Sequence, residues 1–133
     1  MRTYSNSRAV WIALIVSTLS ACALNPFQAA ETPAQRGYAL EASYNIVLED
    51  ALAIASAPTT SASVRQAIKD AELKSTAVIV SLSDALAAYE VERAKFEIGQ
   101  TTAERVEIVA NNLATWVEEA KKALVALQLS FRN

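Results

Sequence analysis

The sequence predicts an all-α protein, an up-down-up antiparallel three-helix bundle preceded by a cleaved N-terminal segment. Three observations carry this expectation. Apolar residues recur at alternating steps of three and four through three long stretches, which is the spacing of a buried helix face. Each stretch opens on a Ser or Thr followed three residues later by Gln or Glu, the signature of a capping box. Strand signals are almost absent: Val78-Ile79-Val80 is β-branched, but it lies within a helical pattern that overrides local propensity.

The first helix is predicted over 33–57. Thr32 caps it, Pro33 takes the first helical position, Gln35 completes the box, and Pro58 ends it for want of an amide hydrogen. Its seam reads Leu40, Tyr44, Val47, Ala51, Ile54, all apolar. A polar turn, Thr59 to Ser63, leads to the second helix over 62–98, with Ser63 and Gln66 as a capping box, Thr60 or Ser61 as earlier starts, and Gly99 as its stop. Its seam runs Val64, Ile68, Ala71, Ser75, Val78, Leu82, Ala85, Tyr89, with Ser75 the one polar station. The third helix is predicted over 102–129 from a box of Thr101 and Glu104, with a seam that begins at Val106 and Val109 and ends at Leu127 and Phe131. Flanking Leu48, Leu52, Ile79, Leu86, Val117 and Ala123 widen the stripes beyond a two-stranded seam, which favours a bundle core over an extended coiled coil.

At about 1.5 Å per residue the helices span about 37, 53 and 42 Å, so the second must bend or overhang. Its seam fails at Glu92, which places the excess around Glu90 to Gln100. On the surface, Asp70 with Lys74, Arg93 with Glu97, and Glu118 with Lys122 stand four apart, where opposite charges support a helix weakly.

Catalytic chemistry finds little material. The chain has no histidine and two glycines, which removes the commonest general base and any phosphate-cradling loop. Glu104 with Glu107, and Glu90 with Glu92, read as solvated acids beside Arg105, Arg93 and Lys95. Trp116, Tyr38, Tyr44 and Tyr89 sit at helical spacing and read as core. No catalytic residue, metal site or cofactor is predicted.

The N-terminus carries the one motif. Met1 to Arg8 holds two cations and no acid, Ala9 to Leu19 is apolar apart from Ser17 and Thr18, and Leu19-Ser20-Ala21-Cys22 closes the run. A basic start, a short apolar core and a small-residue exit make a secretory signal. About eleven residues are too few to span a bilayer comfortably as a helix. Taken alone, it fits an ordinary signal cleaved near Ala23 or Ala29-Ala30. The tetrapeptide resembles the lipobox of bacterial lipoprotein precursors, which are cut by signal peptidase II. That resemblance implies a diacylglyceryl group on the Cys22 sulfur, cleavage before Cys22 and acylation of the new amino group. It divides the chain into a signal peptide over 1–21, a lipidated tether over 22–32 and a bundle over 33–133. Ala23, where an inner-membrane lipoprotein tends to carry aspartate, implies an outer-membrane anchor facing the periplasm.

Composition agrees with this division. Cys22 is the only cysteine, so no internal disulfide can form, and lipid would cap a thiol otherwise left free in an oxidising compartment. Loss of Arg2 and Arg8 leaves ten basic against fourteen acidic residues, a net charge of −4, which argues against nucleic acid as partner and against binding to anionic lipid heads. Phe27 in the tether and Phe96 and Ile98 near the overhang are candidates for a membrane or partner patch. Two functional readings follow: a lipid-anchored structural or protein-interaction module of the envelope, of which a prophage-derived envelope lipoprotein is one form, and a binder of a small apolar ligand held among Trp116, Tyr44 and Tyr89.

Overall fold

A computed structural model describes residues 32–132. Leu19, Ser20, Ala21, Cys22 and Phe27 lie outside the described residues. Three helices follow one another, α1 (Pro33–Ser56), α2 (Ala62–Glu97) and α3 (Ala103–Leu129), and each packs on both others. The three-helix bundle read from the sequence is the fold, with helix ends within one residue of those predicted.

The caps show why the helices start where they do. Thr32 accepts from the Gln35 amide at 3.2 Å, and Gln35 Oε1 accepts from the Thr32 amide at 3.0 Å, so the first capping box forms as predicted. The second cap is Ser61, not Ser63: the Ser61 hydroxyl accepts from the Val64 amide, and Ser63 is reduced to a hydroxyl contact with Ser61 at 3.0 Å. The third is Thr102, not Thr101, and accepts from the Arg105 amide. Thr101 is instead engaged by Glu92 at 3.0 Å, which leaves the adjacent hydroxyl to serve the helix start. Pro58 stops α1 as predicted. The freed Ile54 carbonyl is taken by the Ala57 amide and the Thr60 hydroxyl, while Arg65 donates to the Ala57 carbonyl at 3.0 Å.

The predicted seams are the core. Tyr44, Val47, Ala51, Ile68 and Leu127 form one cluster, and Leu40, Leu82, Ala85, Leu86, Leu113, Val117 and Ala120 with Ala34 form the other; Ile79 and Leu124 touch both. Two polar groups are accommodated. Ser75 is buried and donates to the Glu72 carbonyl at 3.1 Å, which explains a serine on an apolar seam. The Tyr44 hydroxyl meets Thr76 Oγ1 at 2.7 Å and ties α1 to α2. Leu52 departs from expectation and stands 46% exposed, because it lies one residue round from Ala51, past the contact that α1 makes with its neighbours.

The surface pairs also differ. Arg93 and Glu97 pair at 3.5 Å as predicted, but Lys122 turns to Glu119 and Lys121 to Glu118, each three residues away, and Asp70 accepts from Gln66 rather than pairing with Lys74. Such exposed pairs contribute at most about 1 kcal/mol each.

Gly37 sets how closely α1 approaches α2. A Cβ built there would lie 2.8 Å from Leu86 Cδ2 and 3.1 Å from Cγ, so the buried Leu86 side chain occupies the space that any other residue would fill. Leu86→Ala should cost about 2–5 kcal/mol through the cavity it leaves. Gly37→Ala alone should destabilise, since overpacking of about 1–3 kcal/mol exceeds the gain in helix propensity of about 1 kcal/mol. In the Leu86→Ala background the same change should stabilise by about 1 kcal/mol, because the cavity admits the new methyl group. Urea unfolding of the four chains measures the cycle; a Gly37→Ala effect of equal sign in both backgrounds would contradict the close approach.

Candidate functional site

Unequal helix lengths place the functional candidates. The 24, 36 and 27 residues of α1, α2 and α3 correspond to about 36, 54 and 40 Å. Because Gly37 sits against Leu86, α1 begins near Leu86 and Tyr89, and α2 and α3 run on beyond it as a two-helix arm. No residue from 87 to 112 is fully buried. The excess of α2 therefore lies where the failing seam placed it.

The arm is closed by backbone geometry. Gly99 takes φ +72°, a left-handed conformation that a side chain disfavours, and the Gly99 and Gln100 amides donate to the carbonyls of Phe96 and Lys95. These two bonds make a Schellman ending. Glu92 then clasps the turn, accepting from Lys95 Nζ at 2.8 Å and from Thr101 Oγ1 at 3.0 Å. Its side chain is only 14% exposed, so it is not the solvated acid that its neighbours in sequence suggest. The Lys95 contact first, and the Thr101 hydroxyl second, hold its carboxyl below the usual glutamate range. Glu90 is half-buried, while Glu104 and Glu107 are exposed; no group of three or more potential metal ligands exists among the described residues.

Phe96 and Ile98 both stand out to solvent. Being two residues apart at the end of α2, they leave it on different sides, so they do not by themselves form one patch. The aromatic residues do not converge either. Tyr44 belongs to one core cluster, and Tyr89 and Trp116 pack against the other. Tyr38 is exposed.

A shallow groove of about 460 Å³ runs between α2 and α3, lined by small residues, among them Ala71, Ser75, Ala123 and Ala126, together with Lys74 and Lys122. None of Trp116, Tyr44 and Tyr89 lines it. The groove exists because both helices carry small residues there: Ala71 and Ser75 are stations of the α2 stripe and Ala123 flanks that of α3, while Ala67 and Ala126 lie outside the predicted stripes.

None of the described helices is long and apolar enough to cross a membrane. In comparisons with known proteins, no family model matches the chain, and neither a curated protein nor a solved structure matches it.

The Glu92 clasp has a defined pH response. The folded carboxyl is depressed relative to the unfolded one, so its stabilisation is present at neutral pH and is lost as pH falls through the folded value, the unfolded chain taking up the proton first. Amide exchange at Gly99 and Gln100, corrected for intrinsic rates, should therefore accelerate in acid in the natural chain and much less in Glu92→Gln. Equal acceleration in both would contradict the clasp.

Proposed function

We propose that this chain is a lipid-anchored envelope protein, attached through Cys22 to the outer membrane and presenting its helical bundle to the periplasm as a structural or protein-interaction module. The observation that carries the reading is the order of parts at the N-terminus: two cations, an apolar run of about eleven residues, two small residues and the only cysteine. Each buried methylene contributes about 0.8 kcal/mol, so one acyl chain holds marginally and two or three hold stably. The anchor then lies at most about 36 Å from the first helix, the reach of a ten-residue tether.

The interaction half of the proposal draws on the bundle. Its core is built from side chains of all three helices in two packed clusters, and among the described residues no buried side-chain polar atom lacks a partner. Large apolar residues nevertheless stand exposed along α2, at Leu73, Val80, Val91 and Ile98. An apolar surface left over after a core is complete favours a macromolecular contact.

The anchor is tested by mass spectrometry of the processed protein and by fractionation. The N-terminal peptide should begin at Cys22 with a diacylglyceryl group on sulfur, and Cys22→Ser should move the protein out of the membrane pellet. An unmodified thiol, or a mature chain that begins downstream of Cys22, would overturn the proposal.

A further inference from the structure

The exposed apolar residues of α2 are ordered. From Leu73 to Ile98, alternating steps of four and three pick out eight positions, of which all but Asp84 are apolar and every one is exposed. The large members are 64% (Leu73), 55% (Val80), 51% (Val91) and 68% (Ile98) exposed. A repeat of 3.5 residues keeps a stripe on one side of a helix, and this one extends about 38 Å. It lies on the side of α2 away from the buried Ser75, Leu82 and Leu86, so α2 carries a second apolar face in addition to the one the core consumes. Nothing comparable exists on the other described helices: Tyr38 and Leu52 on α1 share a face that Asn45 and Glu49 interrupt, and Ile108, Val125 and Leu129 on α3 share one that Asn111, Thr115, Glu118 and Lys122 interrupt.

The stripe is complementary to itself when reversed. Laid antiparallel about a point between Ala85 and Leu86, Leu73 of one copy meets Ile98 of the other, Ala77 meets Ala94, Val80 meets Val91, and Asp84 meets Ala87. Large side chains oppose large and small oppose small in the outer layers, and the one charged station faces a methyl group that leaves its carboxylate room to turn toward the rim. A parallel, in-register pairing would instead set Asp84 against Asp84 within an apolar seam, where like charges repel and lose their water. At the rim the antiparallel pairing brings Lys74 near Lys95 of the second copy, whose charge is already countered by Glu92 at 2.8 Å.

We infer that the outer face of α2 is a homodimer interface, and that its occupant is the same face of a second copy running antiparallel. The two-fold passes beside Leu86, the level at which α1 begins, so the two copies of α1 start near the middle of the dimer. This rests on the reading of the chain as an interaction module and is independent of the lipid, since dimerisation and acylation are read by different measurements.

The full chain, purified from whole-cell lysate in mild detergent, should sediment as a dimer, and the double variant Val80→Lys, Val91→Lys should sediment as a monomer with unchanged helical circular dichroism, because neither position is in the core. Orientation is read by co-expressing Leu73→Cys with Ile98→Cys and treating the purified protein with a short bismaleimide, the joined peptides being assigned by mass spectrometry so that Cys22 is not mistaken for either. The mixture should cross-link residue 73 to residue 98, and either variant alone should give no link at its new cysteine, since identical positions 73 lie about 38 Å apart in an antiparallel pair. A monomeric natural chain, a dimer that survives both lysines, or a link between identical positions 73 or 98 would overturn the inference.

Discussion

The length of α1 governs the rest of the molecule. Two helices alone bury a narrow seam, and a third is needed to remove water from a full stripe on each. Twenty-four residues of α1 therefore fix how much of α2 and α3 becomes core, and the boundary falls where Gly37 meets Leu86. On one side of it lie the residues that are fully buried, from Ile68 to Leu86 on α2 and from Leu113 to Leu127 on α3. On the other the two helices support only each other, and the Glu92 clasp and the Schellman turn do what packing does elsewhere.

The same constraint separates stability from interaction. The core needs one face of α2, and the chain could have made the opposite face wholly polar. It instead repeats the apolar spacing there, at Leu73, Val80, Val91 and Ile98, where the fold gains nothing from it. Apolar residues in an ordered stripe on a completed bundle favour an external contact, and lipid attachment at Cys22 would raise the local concentration at which weak contacts between copies form.

Much of the fold was legible because helical spacing is a direct record of burial. The inner seams, the Thr32 box, the Pro58 break and the Gly99 stop each depend on residues within a turn of one another, and all stand where the sequence placed them. What was not legible depends on contacts distant in sequence. Thr101 and Thr102 are equally good caps until Glu92 engages the first, and Glu92 reads as a surface acid until the turn brings Thr101 to it. Gly37 left no pattern of its own; its signal was the presence of a glycine within a helix, a choice that costs about 1 kcal/mol unless a neighbour needs the space. The second stripe of α2 follows the same spacing as the first, and was hidden because the inner seam had already accounted for the helix. The candidate site is legible in a more limited way: the proposed attachment at Cys22 rests on sequence alone, outside the described residues, and Phe96 and Ile98, though exposed, leave α2 in different directions.

The division between core and arm is tested most directly by trimming the arm. Deleting one heptad from each helix, 88–94 together with 105–111, removes two turns of overhang and keeps the remaining faces in phase. The trimmed chain should unfold in a single cooperative transition, having lost no more than about 3 kcal/mol for the partial burial of Tyr89, Val106 and Val109. Deleting 64–70 with 124–130, which removes Ile68 and Leu127 from the core, should abolish that transition. Loss of cooperative unfolding on trimming the arm would contradict a core that ends at Leu86.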